Sequence, residues 1–372
     1  EVKEIGVGIT LLPHAMRELA ELGVQDALEA AGIENLESVF YTQHGQYVYR
    51  EARGRHAGYA LPEIGIHRGK LHRILFDAAV SRLGTDKVHT GMRCSAFSQN
   101  DNGVEIEFSN AHTQTSLKVQ AQIAVACDGV NSVVRAQMHP QDALCFAGIN
   151  TWRGVTVHPP ILTGKSYLRI GTVEVGKMVI YPIIDNVDGK GNQLINWVAE
   201  LQKPNAAMND WNRPGDPAVC AEIFKDWTFD FLNVPELILK ADKVFEYPMV
   251  DKDALPFWTQ GRVTLMGDAA HATVPFYGQG MNASFEDVFV FDSVLNQFEG
   301  DWATVFLEFQ KQRKIDADAI ADLAIDNYYE MRDHVANPLF KEKRIVEMGL
   351  EKFFPTEYFS KYFFLGSKFK IC

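Results

Sequence analysis

Two stretches of the sequence place an aspartate directly after a short apolar run. The first is DGVNSVVR at 128–135, which follows the run IAVA at 123–126. The second is GDAAH at 267–271, which follows RVTLM at 262–266. Such runs are typical of buried strands in α/β sheets, and open α/β sheets bind ligands at the carboxyl ends of their strands. Asp128 and Asp268 therefore stand where a ligand would bind, and Asp268 could accept hydrogen bonds from sugar hydroxyls.

The second stretch continues into the glycine-rich segment PFYGQGMN at 275–282. Gly267 permits a tight turn, while Gly278 and Gly280 let the backbone approach a flat ring or a phosphate closely. A helix is predicted to begin near Met281, and its free N–H groups can face an anion or a polarised carbonyl. A Gly-Asp pair after a strand is weak by itself, but the full stretch from 267 to 282 is much more specific.

The surrounding pattern predicts the strands and helices that must position these residues. Apolar spacing predicts helices over Thr10–Leu22 and Gly69–Leu83, each followed by a glycine that can cap it. Alternation predicts two hairpins, one joining 39–41 to 47–49 and one joining 104–108 to 116–119. Residues 151–200 have β texture, 204–217 resemble a surface loop, and the chain after Gly280 is predicted to be helical.

Composition narrows the class of protein. The 372 residues carry a net charge of -12 with scattered Lys and Arg, so no basic stripe for nucleic acid is present. No apolar run is long enough to span a membrane, and the charged start EVKEI does not resemble a secretory signal. Five cysteines without CxxC spacing favour reduced thiols over a disulfide framework or zinc site. These features predict a soluble cytoplasmic protein without stable membrane insertion. We expect a monomer or a homodimer, although none of these features fixes which.

The two aspartate motifs together resemble those of the single-component FAD-dependent aromatic hydroxylases. From residue 6 to 271 the chain is most similar to the phenazine-carboxylate monooxygenase branch, through segments such as IHRGKL at 66–71 and YPMVD at 247–251. From residue 275 to 372 it is most similar to kynurenine 3-monooxygenase, through GQGMNA at 278–283 and NYYEMR at 327–332. The change from one resemblance to the other falls between residues 271 and 275, and natural divergence and an engineered chimera would both explain it.

The resemblance implies roles for individual residues. It assigns cofactor binding to ten positions: Arg68, Asp128, Gly129, Gly267, Asp268, Pro275, Gly278, Gly280, Met281 and Asn282. It assigns substrate contacts to Phe276, Asn327 and Tyr362. The implied cofactors are FAD and NADPH or NADH. Because the cofactor carries out the hard chemistry in such enzymes, no side-chain nucleophile and no metal ligand is expected.

Other roles compete for several of these residues. Arg68 could be a surface cation, although a cation beside a helix start is electrostatically unfavoured. His271, His67 and His72 could suggest a metal, but no second carboxylate or cysteine lies at ligand spacing, which favours His271 as a turn residue with a protein partner. Ser132 lacks the GxSxG elbow of a nucleophile. Asn327 could be a solvated helix residue and Tyr362 a core aromatic.

The sequence departs from the family pattern in two places. It lacks the G-x-G-x-x-G fingerprint and its βαβ unit, a segment on the order of thirty residues. We expect that segment to belong to the protein, since without it an interior strand edge would be unpaired. The kynurenine branch also carries an Arg and then a Tyr around the first hairpin, where this chain has LESVFY at 36–41. Arg50, Arg53 or Arg55 could compensate only if their loop folded inward.

The predicted architecture is α/β: a doubly wound FAD-binding fold, an antiparallel-sheet substrate domain and a helical C-terminal unit. The expected FAD-binding domain comprises 1–142 and 250–300, the substrate domain 143–249, and the helical region 301–372. The predicted function is hydroxylation of an aromatic, carboxylate-bearing small molecule with NAD(P)H and O2, in the manner of kynurenine 3-monooxygenase. The alternatives are a flavin oxidoreductase that inserts no oxygen and, if the βαβ unit is truly lacking, a flavin-less binding module.

Overall fold

The structure is a computed structural model that describes residues 7–110, 113, 115–172, 175–202, 213–274, 278–333, 338–354 and 357–358. The chain divides into two compact units. The first unit comprises Ala78–Cys145 and Val250–Asp326. The second unit comprises Val2–Asp77, Phe146–Met249 and Asn327–Cys372.

Up to residue 271 the chain forms mostly strands with helices between some of them, and long helices follow. The strands are β1 (Gly8–Leu11), β2 (Ile33–Glu34), β3 (Glu37–Tyr41), β4 (Tyr47–Ala52), β5 (Ile64–His67), β6 (Met92–Asn100), β7 (Gly103–Asn110), β8 (Ser116–Ala121), β9 (Ala124–Ala126), β10 (Leu144–His158), β11 (Ser166–Thr172), β12 (Gly176–Ile184), β13 (Gln193–Gln202), β14 (Arg213–Pro214), β15 (Thr228–Phe229), β16 (Leu232–Asn233), β17 (Val244–Lys252), β18 (Thr259–Gln260) and β19 (Val263–Leu265). The helices are α1 (Pro13–Glu21), α2 (Gln25–Ala31), α3 (Arg68–Leu83), α4 (Val133–Met138), α5 (Pro217–Ile223), α6 (Val234–Leu239), α7 (Asp268–His271), α8 (Gly280–Phe298), α9 (Trp302–Asp333) and α10 (Pro338–Phe353), with a 3₁₀ turn at Gly54–Ala57.

In the first unit, β9 and β19 pair in parallel, and β18 pairs with β19 on its other side. Each of the two parallel strands leads directly into one of the aspartate motifs. Their apolar side chains join a core with the inner stripes of α8 and α9, which includes Leu265, Trp258 and Phe309. Packing of these helices against the strands fixes the strand ends at which the motifs begin.

The second unit is built on an eight-stranded sheet in the order β14-β17-β10-β13-β12-β11-β3-β4. The hairpin β3–β4 joins this sheet because β3 pairs in parallel with β11, placing Phe40 opposite Arg169. One face of the sheet packs on α5 and α6 through an apolar core that includes Ile180, Trp197 and Phe224. The unit also contains a small sheet in the order β1-β5-β2.

The predicted α/β class, both hairpins and the helices after Gly280 are confirmed. The predicted first helix is too long at its start, because residues 8–11 form β1 and pair with β5. The helix begins at Pro13, whose missing N–H is no loss at the first helical position. Of the predicted loop at 204–217, residues 204–212 lie outside the described residues. Residues 213–214 form the short strand β14 and Pro217 begins α5, so only 215–216 are described as loop.

Candidate functional site

The Gly-Asp motif forms a sharp turn between β19 and α7. Gly267 has φ 61 and ψ -144, a conformation that only glycine adopts without strain. A Cβ added there would lie 3.1 Å from Oγ of Ser284. The turn leaves Asp268 exposed as the first residue of α7. Its carboxylate is thus free to meet a ligand beyond the end of β19.

A network of buried charged side chains stabilises this turn through hydrogen bonds. Oδ2 of Asp287, on α8, accepts the backbone N–H of Gly267 at 2.9 Å and lies 2.6 Å from Nε2 of His271. Its Oδ1 accepts Nε of Arg313, on α9, at 2.8 Å. Burial alone would raise the pKa of Asp287, but His271 and Arg313 hold that pKa below its usual value. The network therefore ties the strand end to two long helices.

The DG motif caps α4. Oδ2 of Asp128 accepts the backbone N–H groups of Val133 and Val134 at 2.9 and 3.4 Å. Oγ of Ser132 accepts the N–H of Arg135 at 2.8 Å, so this hydroxyl acts as a helix cap. Gly129 has φ 79, and no heavy atom lies within 4 Å of the position of a Cβ. The turn thus leaves room for a ligand beside an exposed carboxylate.

Arg135 joins the two motifs. Its guanidinium is completely buried and binds Asp142 bidentately, at 2.9 Å from Nε and 2.7 Å from Nη2. Nη1 donates to the carbonyl oxygens of Ala269 and Ala270, at 3.3 and 3.0 Å. The last residue of the DG motif therefore holds the helix of the GD motif. Sequence reasoning noted this arginine only as part of a pattern, and no local signal indicated which carbonyls it would bind.

The glycine-rich segment provides an open helix start. Gly278 has φ 64 with no heavy atom within 4 Å of a Cβ, and Gly280 is the first residue of α8. Asn282 donates from Nδ2 to the carbonyl of Gly278 at 2.7 Å, which holds this turn against the helix. The side chain of Gln279, the N-cap residue, makes no capping hydrogen bond to the start of α8. Met281, in the first turn of that helix, is half-buried. Oγ1 of Thr273 is buried without a hydrogen-bond partner in the described part of the chain.

These features fit a flavin. The uncapped N–H groups of α8 can face a polarised carbonyl or an anion, and the open glycines let a flat ring approach the backbone. An unpartnered buried hydroxyl is costly unless a ligand satisfies it. In the first unit the predicted residues Asp128, Gly129, Gly267, Asp268, Gly278, Gly280, Met281 and Asn282 lie at the ends of β9 and β19 and at the start of α8.

The other predicted site residues belong to the second unit or lie outside the described residues. Arg68 is exposed at the start of α3 in the second unit, and its backbone N–H donates to the carbonyl of Val7 at 3.1 Å. Asn327 lies on α9, but its side chain is outside the described residues. Pro275, Phe276 and Tyr362 are also outside them. The substrate contacts assigned to Phe276, Asn327 and Tyr362 remain predictions.

Two of the histidines considered as metal ligands have protein partners. His271 contacts Asp287 as described, and Nδ1 of His67 accepts the N–H of Gly69 at 3.2 Å. Across the described ranges, no group of three His, Cys, Asp or Glu side chains is placed to hold a metal ion. Within those same ranges, no helix has the length and apolarity needed to cross a membrane.

Comparison with known proteins identifies the family of this chain. Residues 6–308 match the family described as FAD binding domain. Over 294 residues the chain is 34% identical to phenazine 1,6-dicarboxylic acid hydroxylase PhzS of Lysobacter antibioticus, covering 77% of this chain and 72% of that protein. It is 30% identical over 290 residues to kynurenine 3-monooxygenase of Dictyostelium discoideum, covering 72% of this chain and 60% of that protein.

Solved structures share the fold. Klebsiella pneumoniae HpxO complexed with FAD and uric acid superposes with a TM-score of 0.75 at 20% identity, over 93% of this chain and 87% of that one. A salicylate hydroxylase substrate complex gives a TM-score of 0.71 at 19% identity, over 99% and 92%. The family match covers most of the chain, and both branches expected from the motifs occur among its relatives. The chain therefore belongs to the FAD-binding family of flavin-dependent aromatic hydroxylases.

Proposed function

We propose that this protein hydroxylates a planar aromatic carboxylate, using FAD, NAD(P)H and O2. The observation that carries the proposal is the frame made by the two strand-end motifs. Arg135 and the Asp287 network lock both turns in place, while Asp268, Gly129 and Gly278 stay open to a ligand. A rigid frame around open glycines and an exposed carboxylate suits a cofactor that must be held in one orientation.

The chain's own residues bind and orient. Asp268 would accept a hydrogen bond from a ribityl hydroxyl, and the first N–H groups of α8 would face the polar edge of the ring. Asp128 and Gly129 would serve the nucleotide part of the cofactors. When bound, FAD supplies the redox and oxygen-transfer chemistry. Excluding water and holding the substrate ring are then the tasks of the protein.

The names of the relatives support the proposal that the substrate carries a carboxylate. The named proteins act on phenazine 1,6-dicarboxylic acid and kynurenine, and a further relative, 27% identical over 316 residues, on 3-amino-4-hydroxybenzoate. Each of those molecules combines an aromatic ring with a carboxylate. An apolar pocket with a few polar groups discriminates such ligands chiefly through the group that pairs with the charge.

Flavin retention tests the first half of the proposal. The purified protein is mixed with excess FAD and desalted, and its visible spectrum is recorded. A retained oxidised-flavin spectrum is expected for the wild-type protein and a weaker one for Asp268→Asn. A folded wild-type protein without any flavin would contradict the proposal and favour the flavin-less binding module.

Product analysis tests the second half. FAD-loaded protein is given NADPH or NADH with a panel of aromatic carboxylates under isotopically labelled dioxygen. We expect substrate-dependent NAD(P)H oxidation and one labelled oxygen atom in the product. Formation of only hydrogen peroxide or of a reduced product would instead indicate a flavin oxidoreductase that inserts no oxygen.

A further inference from the structure

The small sheet β1-β5-β2 packs against the eight-stranded sheet through a glycine in each of its two longer strands. A Cβ built on Gly8 of β1 would lie 2.7 Å from Cβ of Asn196 and from Cγ2 of Ile183. A Cβ built on Gly65 of β5 would lie 2.6 Å from the carbonyl oxygen of Pro182. Contacts this short do not occur for real side chains, so both positions require glycine. The backbone of the small sheet therefore lies directly on β12 and β13.

Asn196 of β13 holds β1 by a hydrogen bond. Its side chain is completely buried, and its Oδ1 accepts the backbone N–H of Gly8 at 2.6 Å. Because Gly8 donates in this bond, the oxygen of the amide must face it.

The nitrogen of the same amide makes no comparable bond. Nδ2 of Asn196 is buried without a hydrogen-bond partner in the part of the chain that the structure describes. Burying an unpaired amide donor is unfavourable, so an apolar side chain of similar size would suit this interior position better. The contact between Oδ1 and Gly8 therefore accounts for an amide at position 196.

The strand that Asn196 holds is hydrogen-bonded to the start of α3. Gly8 pairs with His67 in the ladder between β1 and β5. The next backbone N–H, that of Arg68, donates to the carbonyl of Val7 at 3.1 Å. Arg68 is the first residue of α3, and its side chain is exposed. The peptide that carries Arg68 is thus fixed to the strand that Asn196 fixes.

We propose that Asn196 is a positioning residue for the cofactor site, acting through β1 and β5 on the placement of Arg68. The inference rests on the proposed function, in which Arg68 binds the cofactor. Oδ1 of Asn196 holds the backbone of Gly8, the ladder carries that position to His67, and the start of α3 follows. A flexible charged side chain binds a ligand in one geometry only where the backbone that carries it is held.

A double-mutant cycle measures whether the two residues act together. The Kd of FAD is determined by fluorescence titration for the wild-type protein, Asn196→Leu, Arg68→Met and the double variant. We expect Asn196→Leu to weaken binding about 3- to 10-fold, as for one neutral hydrogen bond, and Arg68→Met about 10- to 100-fold, as for one charged contact. In the Arg68→Met protein, Asn196→Leu should then change the Kd by less than about twofold.

Two further variants separate positioning from folding. Asn196→Asp keeps an oxygen that can accept the N–H of Gly8, so it should recover part of the affinity that Asn196→Leu loses. Asn150→Leu is the matched control, since Asn150 is another buried amide of the same sheet and donates to Glu246 at 2.6 Å. It should lower the unfolding midpoint in urea and leave the Kd of FAD unchanged.

Three results would overturn the proposal. The effects of Asn196→Leu and Arg68→Met on the Kd could be additive, Arg68→Met could leave the Kd unchanged, or Asn150→Leu could weaken binding as much as Asn196→Leu. Gly8→Ala disturbs the same contact from β1 and should show the same non-additive loss with Arg68→Met. It takes the place of Asn196→Leu in the cycle if that variant does not fold.

Turnover distinguishes this inference from the proposed function. If the cycle shows coupling but no aromatic carboxylate is hydroxylated, the positioning role of Asn196 stands and the proposed function fails. If hydroxylation is observed and the two substitutions act additively on the Kd, the function stands and the positioning role is wrong.

Discussion

The Nε2 atom of His271 lies 2.6 Å from Oδ2 of Asp287, and the same oxygen accepts the backbone N–H of Gly267 at 2.9 Å. One carboxylate thereby holds both ends of the turn and short helix that present Asp268. Asp287 and Arg313 have no exposed side-chain surface, and His271 has 6%. The geometry of the proposed flavin ligand thus depends on a network that does not itself reach the solvent.

Removing the charge of Asp287 should destabilise the first unit strongly. In Asp287→Asn the buried Arg313 loses the closest of its three carboxylate partners and keeps Glu286 and Asp316, at 3.4 and 3.3 Å. Because breaking a buried pair costs about 3–5 kcal/mol, we expect a loss toward the lower end of that range. Urea unfolding followed by circular dichroism measures the loss. The matched control is Asp292→Asn, which changes an exposed carboxylate on the same helix. Equal stability of the two variants would show that the network does not support the turn.

Acid should weaken the first unit through its paired carboxylates. Burial alone would raise the pKa of Asp287 and Asp142, but their basic partners hold both values below the usual 3.8. A carboxyl whose pKa is lower in the folded state stabilises the protein above 3.8 and loses that contribution as pH falls toward the folded value.

We therefore expect the free energy of unfolding to decrease from about pH 4 downward, by up to about 1.4 kcal/mol per pH unit for each group. Urea titrations at several pH values measure the slope. In Asp142→Asn, which removes the partner of Arg135 and Lys252, the slope should be shallower. A slope identical to that of the wild-type protein would contradict this account.

Loss of Arg135 should affect stability and flavin retention together. Arg135→Met leaves Asp142 with Lys252 alone and removes the donor to the carbonyls of α7. Disrupting a buried ion pair of this kind costs about 3 kcal/mol or more. The same sample, desalted after addition of FAD, should retain less flavin. Arg93→Met, at an exposed position of β6, should change neither quantity. If Arg135→Met also left stability and flavin retention unchanged, Arg135 would not be needed to hold the two motifs together.

Asp268→Asn should weaken flavin binding without loss of stability. Its carboxylate is exposed, so folding does not depend on it, whereas a hydrogen bond from a hydroxyl to a charged acceptor corresponds to about a 10- to 100-fold change in affinity. Fluorescence titration with FAD measures the Kd. Asp322→Asn, an exposed carboxylate on α9, is the control. Unchanged affinity in Asp268→Asn would remove this residue from the flavin site.

A side chain at Gly267 should strain the turn. Gly267→Ala would require φ 61 and ψ -144 in a residue with a Cβ, at a cost of about 1–3 kcal/mol, and would place that atom 3.1 Å from Ser284. Gly189→Ala is the comparison, because Gly189 also has a positive φ, of 71, but no heavy atom lies within 4 Å of the position of an added Cβ. We expect Gly267→Ala to lower both the unfolding midpoint and flavin retention, and Gly189→Ala to affect at most the midpoint.

Sequence alone determined the local features of the site. Apolar runs before Asp128 and Asp268 identified two strand ends, since burial on both faces requires uninterrupted apolar residues. Gly267 was predicted to permit a tight turn, and it forms one with φ 61. The start of α8 was predicted within one residue, at Met281 against the observed Gly280. These features follow from the conformational preferences of a few neighbouring residues.

Only the tertiary structure decided which distant groups meet. Arg135 binds carbonyls 134 and 135 positions away, and Arg169 reaches a hairpin that precedes it by more than a hundred residues. A polar side chain in a sequence has many possible partners, and its choice depends on how strands pair across the sheet. Strand pairing is set by the burial of whole faces, not by the residues beside each strand, so the network under Gly267 and the cation over Phe40 emerge only from the folded chain.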